Sequence, residues 1–144
     1  MADDLPPRLA EIVETFATSP RQDRLELLLE YSQMLPDLPE RLSAHPERLE
    51  RVPECQSPLF VVAEADDQGR AHLYFDAPAE SPTTRGFAGI FHAGLDGESV
   101  EEVLAVPADV THRLNLADVI SPLRLRGADA LLYRVQRQLR ERTA

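Results

Sequence analysis

Leu59-Phe60-Val61-Val62-Ala63, then Asp66-Asp67-Gln68-Gly69, then Ala71-His72-Leu73-Tyr74-Phe75: these three consecutive stretches decide the fold. The first and third are rich in β-branched and aromatic residues, which pack well on a pleated surface. The middle one is a turn sequence, with acids to bond the local backbone and a glycine for the tight bend. Two strands joined by such a turn make an antiparallel hairpin. A lone hairpin is marginal in water, so a third strand is expected from the flanking chain.

Outward from the hairpin the periodicity is helical. Leu9, Ile12, Val13 and Phe16 recur at helical spacing between Pro7 and about Ala17. Ser19-Pro20 reads as an N-cap followed by a first-turn proline, opening a second helix through Met34. Leu35-Pro36-Asp37-Leu38-Pro39 ends it, because proline constrains its predecessor and has no amide to donate. Glu40 to Val52 predicts short helical turns. Beyond Pro82, Arg85-Gly86-Phe87-Ala88-Gly89-Ile90-Phe91 predicts a helix whose small residues permit close packing, ended by Gly94 and Asp96-Gly97. Ser99 with Glu102 is a capping-box pair. A short helix is expected from about Ala108 to Leu114. Ser121-Pro122 opens a last helix with Leu131, Leu132, Val135 and Leu139 on one side and Arg134, Arg137, Arg140 and Arg142 toward its end. The fold class expected is α+β: a small antiparallel sheet of about three strands packed against N-terminal and C-terminal helices. No repeat or linker divides residues 1–144, so one domain is expected.

Composition narrows the function. The chain has 144 residues, is 43% hydrophobic and carries a net charge of −10. A charge of that sign argues against a general binder of nucleic acid or anionic membrane. It is uneven: residues 1–110 hold 8 Arg against 22 acids, residues 111–144 hold 7 Arg against 3 acids. All 15 basic residues are Arg, which removes lysine Schiff-base chemistry and a Walker-type phosphate loop. With no charged-then-apolar leader and no apolar run of about 18 residues, a cytoplasmic protein is expected. The one cysteine, Cys55, has no internal disulfide partner, which also fits a reducing compartment.

Cys55 is the residue with the most chemical promise. It stands between the loop Val52-Pro53-Glu54 and the first long strand, where a side chain can be presented outward on a rigid base. Sulfur chemistry needs the thiolate, and an ordinary cysteine with a pKa of about 8.5 is mostly protonated at neutral pH. Glu54, if near in space, opposes ionisation. Without further context a free cysteine is more often a small buried hydrophobe. His45, His72, His92 and His112 show no metal-pair spacing, so no metal site is expected. Arg85-Gly86 and Arg124-Leu125-Arg126-Gly127 are able to hold an anion or a partner's carboxylate.

At Cys55 the sequence also resembles a family. Glu54-Cys55-Gln56-Ser57 before an apolar strand is similar to the Gly-Cys-Gln-Ser segment of SufE-type sulfur acceptors, with Glu54 in place of the glycine. Leu35-Pro36-Asp37-Leu38-Pro39, Arg85-Gly86, Leu104 with Val106-Pro107, and Ser121-Pro122-Leu123-Arg124 with Gly127 follow in the family's order, over residues 7–142. The resemblance implies a SufE-like, NifU-like fold. It also implies that Cys55 takes sulfane sulfur from a partner's persulfide and passes it on for iron–sulfur cluster assembly. Gln56 and Ser57 would shape its loop. Arg124, Arg85 and Glu80 would position the loop or bind the partner. The partner implied is a pyridoxal-phosphate cysteine desulfurase, with a rhodanese-like sulfurtransferase as the alternative donor and a cluster scaffold downstream. Any pyridoxal phosphate belongs to the donor, and this chain is expected to hold no cofactor. A partner-dependent protein is implied rather than an autonomous thiol enzyme or a non-catalytic adaptor, with a loop that shelters Cys55 until docking.

Overall fold

In the computed structural model, residues 4–143 are described. The chain runs α1 (Pro7–Thr18), α2 (Arg21–Met34), α3 (Glu40–Ser43), a 3-10 turn (Pro46–Arg48), β1 (Glu50–Arg51), β2 (Phe60–Ala65) and β3 (Ala71–Asp76). It continues through α4 (Pro82–Leu95), α5 (Val100–Leu104), a second 3-10 turn (Val110–Leu114) and α6 (Pro122–Thr143).

The hairpin pairs Phe60 with Asp76 and Ala65 with Ala71, and Asp66 organises its turn. One Asp66 carboxylate oxygen accepts from the Gln68 and Arg70 amides at 2.8 and 3.0 Å, and the other meets the His72 ring at 2.8 Å. The third strand comes from the N-terminal flank, with Glu50 opposite Val61 and Arg51 opposite Phe60, so the order is β1-β2-β3, all antiparallel. β1 is short, and an α6 side chain serves the β2 edge beyond it. Gln138 Oε1 accepts the Ala63 amide at 2.7 Å, leaving no unpaired donor there.

Alternation along the strands divides the sheet's two faces. Val61, Ala63, Ala71, Leu73 and Phe75 enter the main core with α1, α2, α4 and α6. Val62, Phe60 and Tyr74 face the other way, against Leu38, Leu42 and Leu49 from the α3 segment. α4 is the central helix: it packs against α1, α2, α6 and β3. Its glycines permit this, since a Cβ on Gly86 would stand 2.6 Å from the Leu28 carbonyl and one on Gly89 would overlap the Tyr31 carbonyl.

Four local expectations change. Pro20 itself takes the N-cap position of α2, and the Ser19 hydroxyl donates back to Thr15 O of α1 at 2.6 Å, so Ser19 closes one helix instead of opening the next. α4 begins at Pro82, and Gly94 lies inside it, pressed against Leu9, instead of ending it. The turn expected from Ala108 is 3-10 and starts at Val110, stopped by Asn115 at φ 56°. The Glu40–Val52 stretch holds, besides helical turns, the third strand. The Ser99 cap stands, with its hydroxyl oxygen accepting the Glu102 amide at 3.1 Å.

Candidate functional site

The segment between β1 and β2 is a loop closed at its base. Val52 and Leu59 are both buried, and the Val52 amide donates to Leu59 O at 2.8 Å. Cys55 sits within this loop, its amide bonded to Val52 O at 3.1 Å. The loop before the first long strand is therefore closed at its base, but the side chain is not presented outward from it. The thiol turns inward, half-buried against the main core.

The sulfur's neighbour is α6. A Cβ on Gly127 would stand 2.7 Å from Cys55 Sγ, so only the bare backbone of that turn leaves room for it. A cavity of about 30 Å³ adjoins the thiol, lined by Cys55, Gln56, Ser57, Thr84, Leu123, Arg124 and Gly127. Its walls are the early turns of α4 and α6, whose N-terminal ends carry partial positive charge. The Arg124 guanidinium ties these ends together, donating to Thr83 Oγ1 at 3.2 Å. Leu123 beside it is 39% exposed, an apolar side chain at the cavity's rim.

Burial pushes the Cys55 thiol up to about 11, Glu54 adds to the rise, and Arg134 opposes it. The resting side chain is thus a protonated thiol at neutral pH, slow to attack on its own. Arg134, on α6, reaches Glu54 Oε1 at 3.0 Å and donates from Nε to Glu50 Oε2 at 3.1 Å. Glu50 also takes Arg137 and Gln138 as donors, and these partners hold its carboxyl below the usual range against the opposing cost of its own burial.

Of the residues singled out in the sequence, Cys55, Gln56, Ser57 and Arg124 come together around this cavity. Arg85 is placed elsewhere. Its guanidinium donates to Ser32 O at 2.8 Å, Ala77 O at 2.7 Å and Leu35 O at 3.2 Å, fastening the end of α2 to the exit of β3. Glu80 is exposed in the connection before α4 and does not line the cavity. Thr84 and Arg134 were not anticipated as part of a site, and Leu123 and Gly127 were named only within the motifs that open the last helix, not as walls around the thiol. Gly127 carried a further signal, since glycine inside a helix is costly unless something must approach closely. A larger cavity of about 450 Å³ lies on the sheet's outer face, between Leu38, Leu42, Leu49 and Phe60, away from the thiol. Among the described residues no group of three or more His, Cys, Asp or Glu side chains is placed to hold a metal ion, and no helix is long and apolar enough to cross a membrane.

Comparison with known proteins agrees with this architecture. Residues 10–139 match the SufE family, described as an Fe-S metabolism associated domain. An uncharacterized SufE-like protein of Mycobacterium tuberculosis is 54% identical over 137 residues, covering 95% of this chain and 94% of its own. SufE-like protein 1 of Arabidopsis thaliana, chloroplastic/mitochondrial, is 28% identical over 137 residues, and the match spans 36% of that longer protein. The solution structure of a hypothetical protein from Thermus thermophilus superposes with a TM-score of 0.84 at 42% identity, covering 96% of this chain and 98% of the other. With its three-stranded antiparallel sheet, its helical packing and its match over most of its length, the chain belongs to the SufE family of proteins associated with iron–sulfur metabolism.

Proposed function

We propose that the protein is a sulfur acceptor for iron–sulfur cluster assembly, with Cys55 as the accepting group. The observation that carries this reading is the placement of the chain's one thiol on a base-closed loop, beside a cavity about the size of one further small atom. The Cys55 sulfur, once deprotonated, attacks the outer sulfur of a donor's persulfide. The donor's S–S bond breaks as the new Cys55 S–S bond forms, and the donor leaves as a thiolate that takes up the proton. The exchange is redox-neutral. A thiol held near 11 in isolation needs the donor to supply the base or the positive charge, which makes transfer depend on docking. Once loaded, the outer sulfur fits the space bounded by Gln56, Ser57, Thr84 and Arg124, where the guanidinium and the two helix ends favour a negative charge.

The donor fitting this chemistry is a cysteine desulfurase or a rhodanese-like sulfurtransferase, and a cluster scaffold is the onward acceptor. The test is intact mass after incubation with each donor and its substrate. Gain of one sulfur on the wild type, absent in Cys55→Ser, is the expected result. If neither donor class loads the protein, the assignment is wrong.

A further inference from the structure

Glu54, the residue before the thiol, is 45% exposed, yet its carboxylate points back to an Arg134 side chain that is only 14% exposed. Arg134 is fixed independently. Its Nε is bonded to Glu50, a carboxylate that also receives Arg137 and Gln138. The remaining arm is different. Arg134 Nη1 is buried and touches Glu54 Oε1 at 3.0 Å without the alignment of a hydrogen bond, so its pairing is electrostatic and incomplete. The fixed post therefore belongs to the helix and the releasable partner belongs to the loop. The Val52–Leu59 and Cys55–Val52 backbone bonds lie within the segment itself, so the loop is held to the rest of the fold by the packing of Val52, Cys55 and Leu59 and by this ion pair.

We propose that Glu54 and Arg134 are positioning residues for sulfur acceptance: their ion pair fastens the Cys55 loop to α6, and a donor that offers a cationic group to Glu54 frees the thiol from its cavity. The inference rests on the sulfur-acceptor reading for its purpose. A cation arriving at Glu54 removes two restraints together. It competes for the loop's anchor, and it offsets the negative charge that adds to burial in keeping the neighbouring thiol protonated. Arg134 stays where it is, because Glu50 keeps it, so the loop recloses on the same post. An exposed carboxylate next to the reacting residue also makes the protein selective: a donor with an acidic surface there meets like charge.

The charged groups facing this pair are Glu50 from β1 and Arg137 and Glu141 from α6, while Arg124 stands at the cavity's other wall. The test uses the whole protein without any donor, in Glu54→Gln, Arg134→Gln, Arg134→Lys and the doubly neutralised variant. Amide hydrogen exchange over residues 52–59 is expected to rise about two- to fivefold in either neutralised single variant, the range for a partly exposed ion pair. The double variant should show no further increase over Arg134→Gln, because Glu54 acts on the loop through its contact with Arg134. Arg134→Lys should recover most of the protection. Exchange in α4 serves as the control. The pH profile of iodoacetamide reaction separates charge from loosening: the Cys55 titration should shift down in Glu54→Gln, where release from burial and loss of the neighbouring carboxylate act together, and down by less in Arg134→Gln, where loss of the cation opposes the release. Unchanged loop exchange in Glu54→Gln, additive effects in the double variant, or a downward titration shift as large in Arg134→Gln as in Glu54→Gln would overturn the proposal. Should Arg134→Gln fail to fold, the exposed Glu54→Gln variant decides alone. Sulfur uptake from a donor is measured separately by mass, so loss of the fastening and loss of the acceptor role are distinguishable.

Discussion

Gly127 and Cys55 are in direct contact: a methyl group added to the glycine would stand 2.7 Å from the cysteine sulfur. The contact joins the loop to α6 at the one turn of that helix where a side chain is missing, and it sets the size of the space into which a second sulfur would fit.

Gly127→Ala should therefore separate stability from reactivity. Alanine favours the helix by about 1 kcal/mol, which offsets part of the strain of displacing the sulfur. Urea unfolding is expected to change by about 1 kcal/mol or less, whereas alkylation of Cys55 should accelerate severalfold as the thiol is pushed from its cavity. A loaded persulfide should also be lost to added thiol faster than in the wild type. An unchanged alkylation rate would show that the sulfur does not depend on the bare backbone.

The thiol's titration gives a second expectation. Burial, with Glu54 adding to it, raises Cys55 to about 11, so alkylation should climb about tenfold per pH unit from 7 to 10 without levelling. Stability responds with a definite sign. In the unfolded chain the thiol ionises near its ordinary value of 9, before the folded one does. The contribution is complete below pH 9 and is lost as pH rises through about 11. Tyr31, raised mainly by its own burial, acts in the same direction and overlaps this range. Comparing the alkaline limb of the wild type with that of Cys55→Ala isolates the thiol; identical limbs would mean that Cys55 is not held in the protonated form.

What the sequence revealed, and what it did not, follows the range of the interactions. The hairpin and the Ser99 cap rest on contacts a few residues apart, and both were legible. Ser19 misled because a serine between two helices can bond to either, and the choice depends on how the helices meet. Cys55 with Gln56 and Ser57 could be named from the local string, but the wall opposite them comes from α4 and α6, some thirty and seventy residues later. Arg85 was legible as important and illegible as to purpose, since nothing local indicates the carbonyls at 32, 35 and 77 that it meets.

Arg85 thus supports a stability prediction. Three carbonyls share one planar guanidinium, two of them at the end of α2, where helix carbonyls lack intrahelical donors. Lysine keeps the charge but concentrates it on one nitrogen and cannot span the three. Arg85→Lys should destabilise the fold by about 2 kcal/mol, the range for one charged hydrogen bond left unmade. Its thiol alkylation profile should stay that of the wild type. A changed Cys55 profile with unchanged unfolding would instead put Arg85 in the site.

Gln138 tests how the sheet is completed. β1 covers only the start of β2, pairing with Phe60 and Val61, and the Ala63 amide next along that edge is served by Gln138 Oε1 at 2.7 Å. The same amide group donates from its nitrogen to Glu50 Oε1 at 3.0 Å, so one α6 side chain links β2, β1 and the ion-pair cluster. Gln138→Leu fills similar volume but leaves a buried backbone donor without an acceptor, which costs about 1–3 kcal/mol. Gln138→Glu keeps an acceptor for Ala63 but sets a second carboxylate against Glu50, so it should recover part of the loss at low pH and little of it at neutral pH. Urea unfolding of both variants, with the exchange rate of the Ala63 amide, measures this. Wild-type stability in Gln138→Leu would mean that water or a strand shift satisfies Ala63 and that α6 is not part of the sheet's edge.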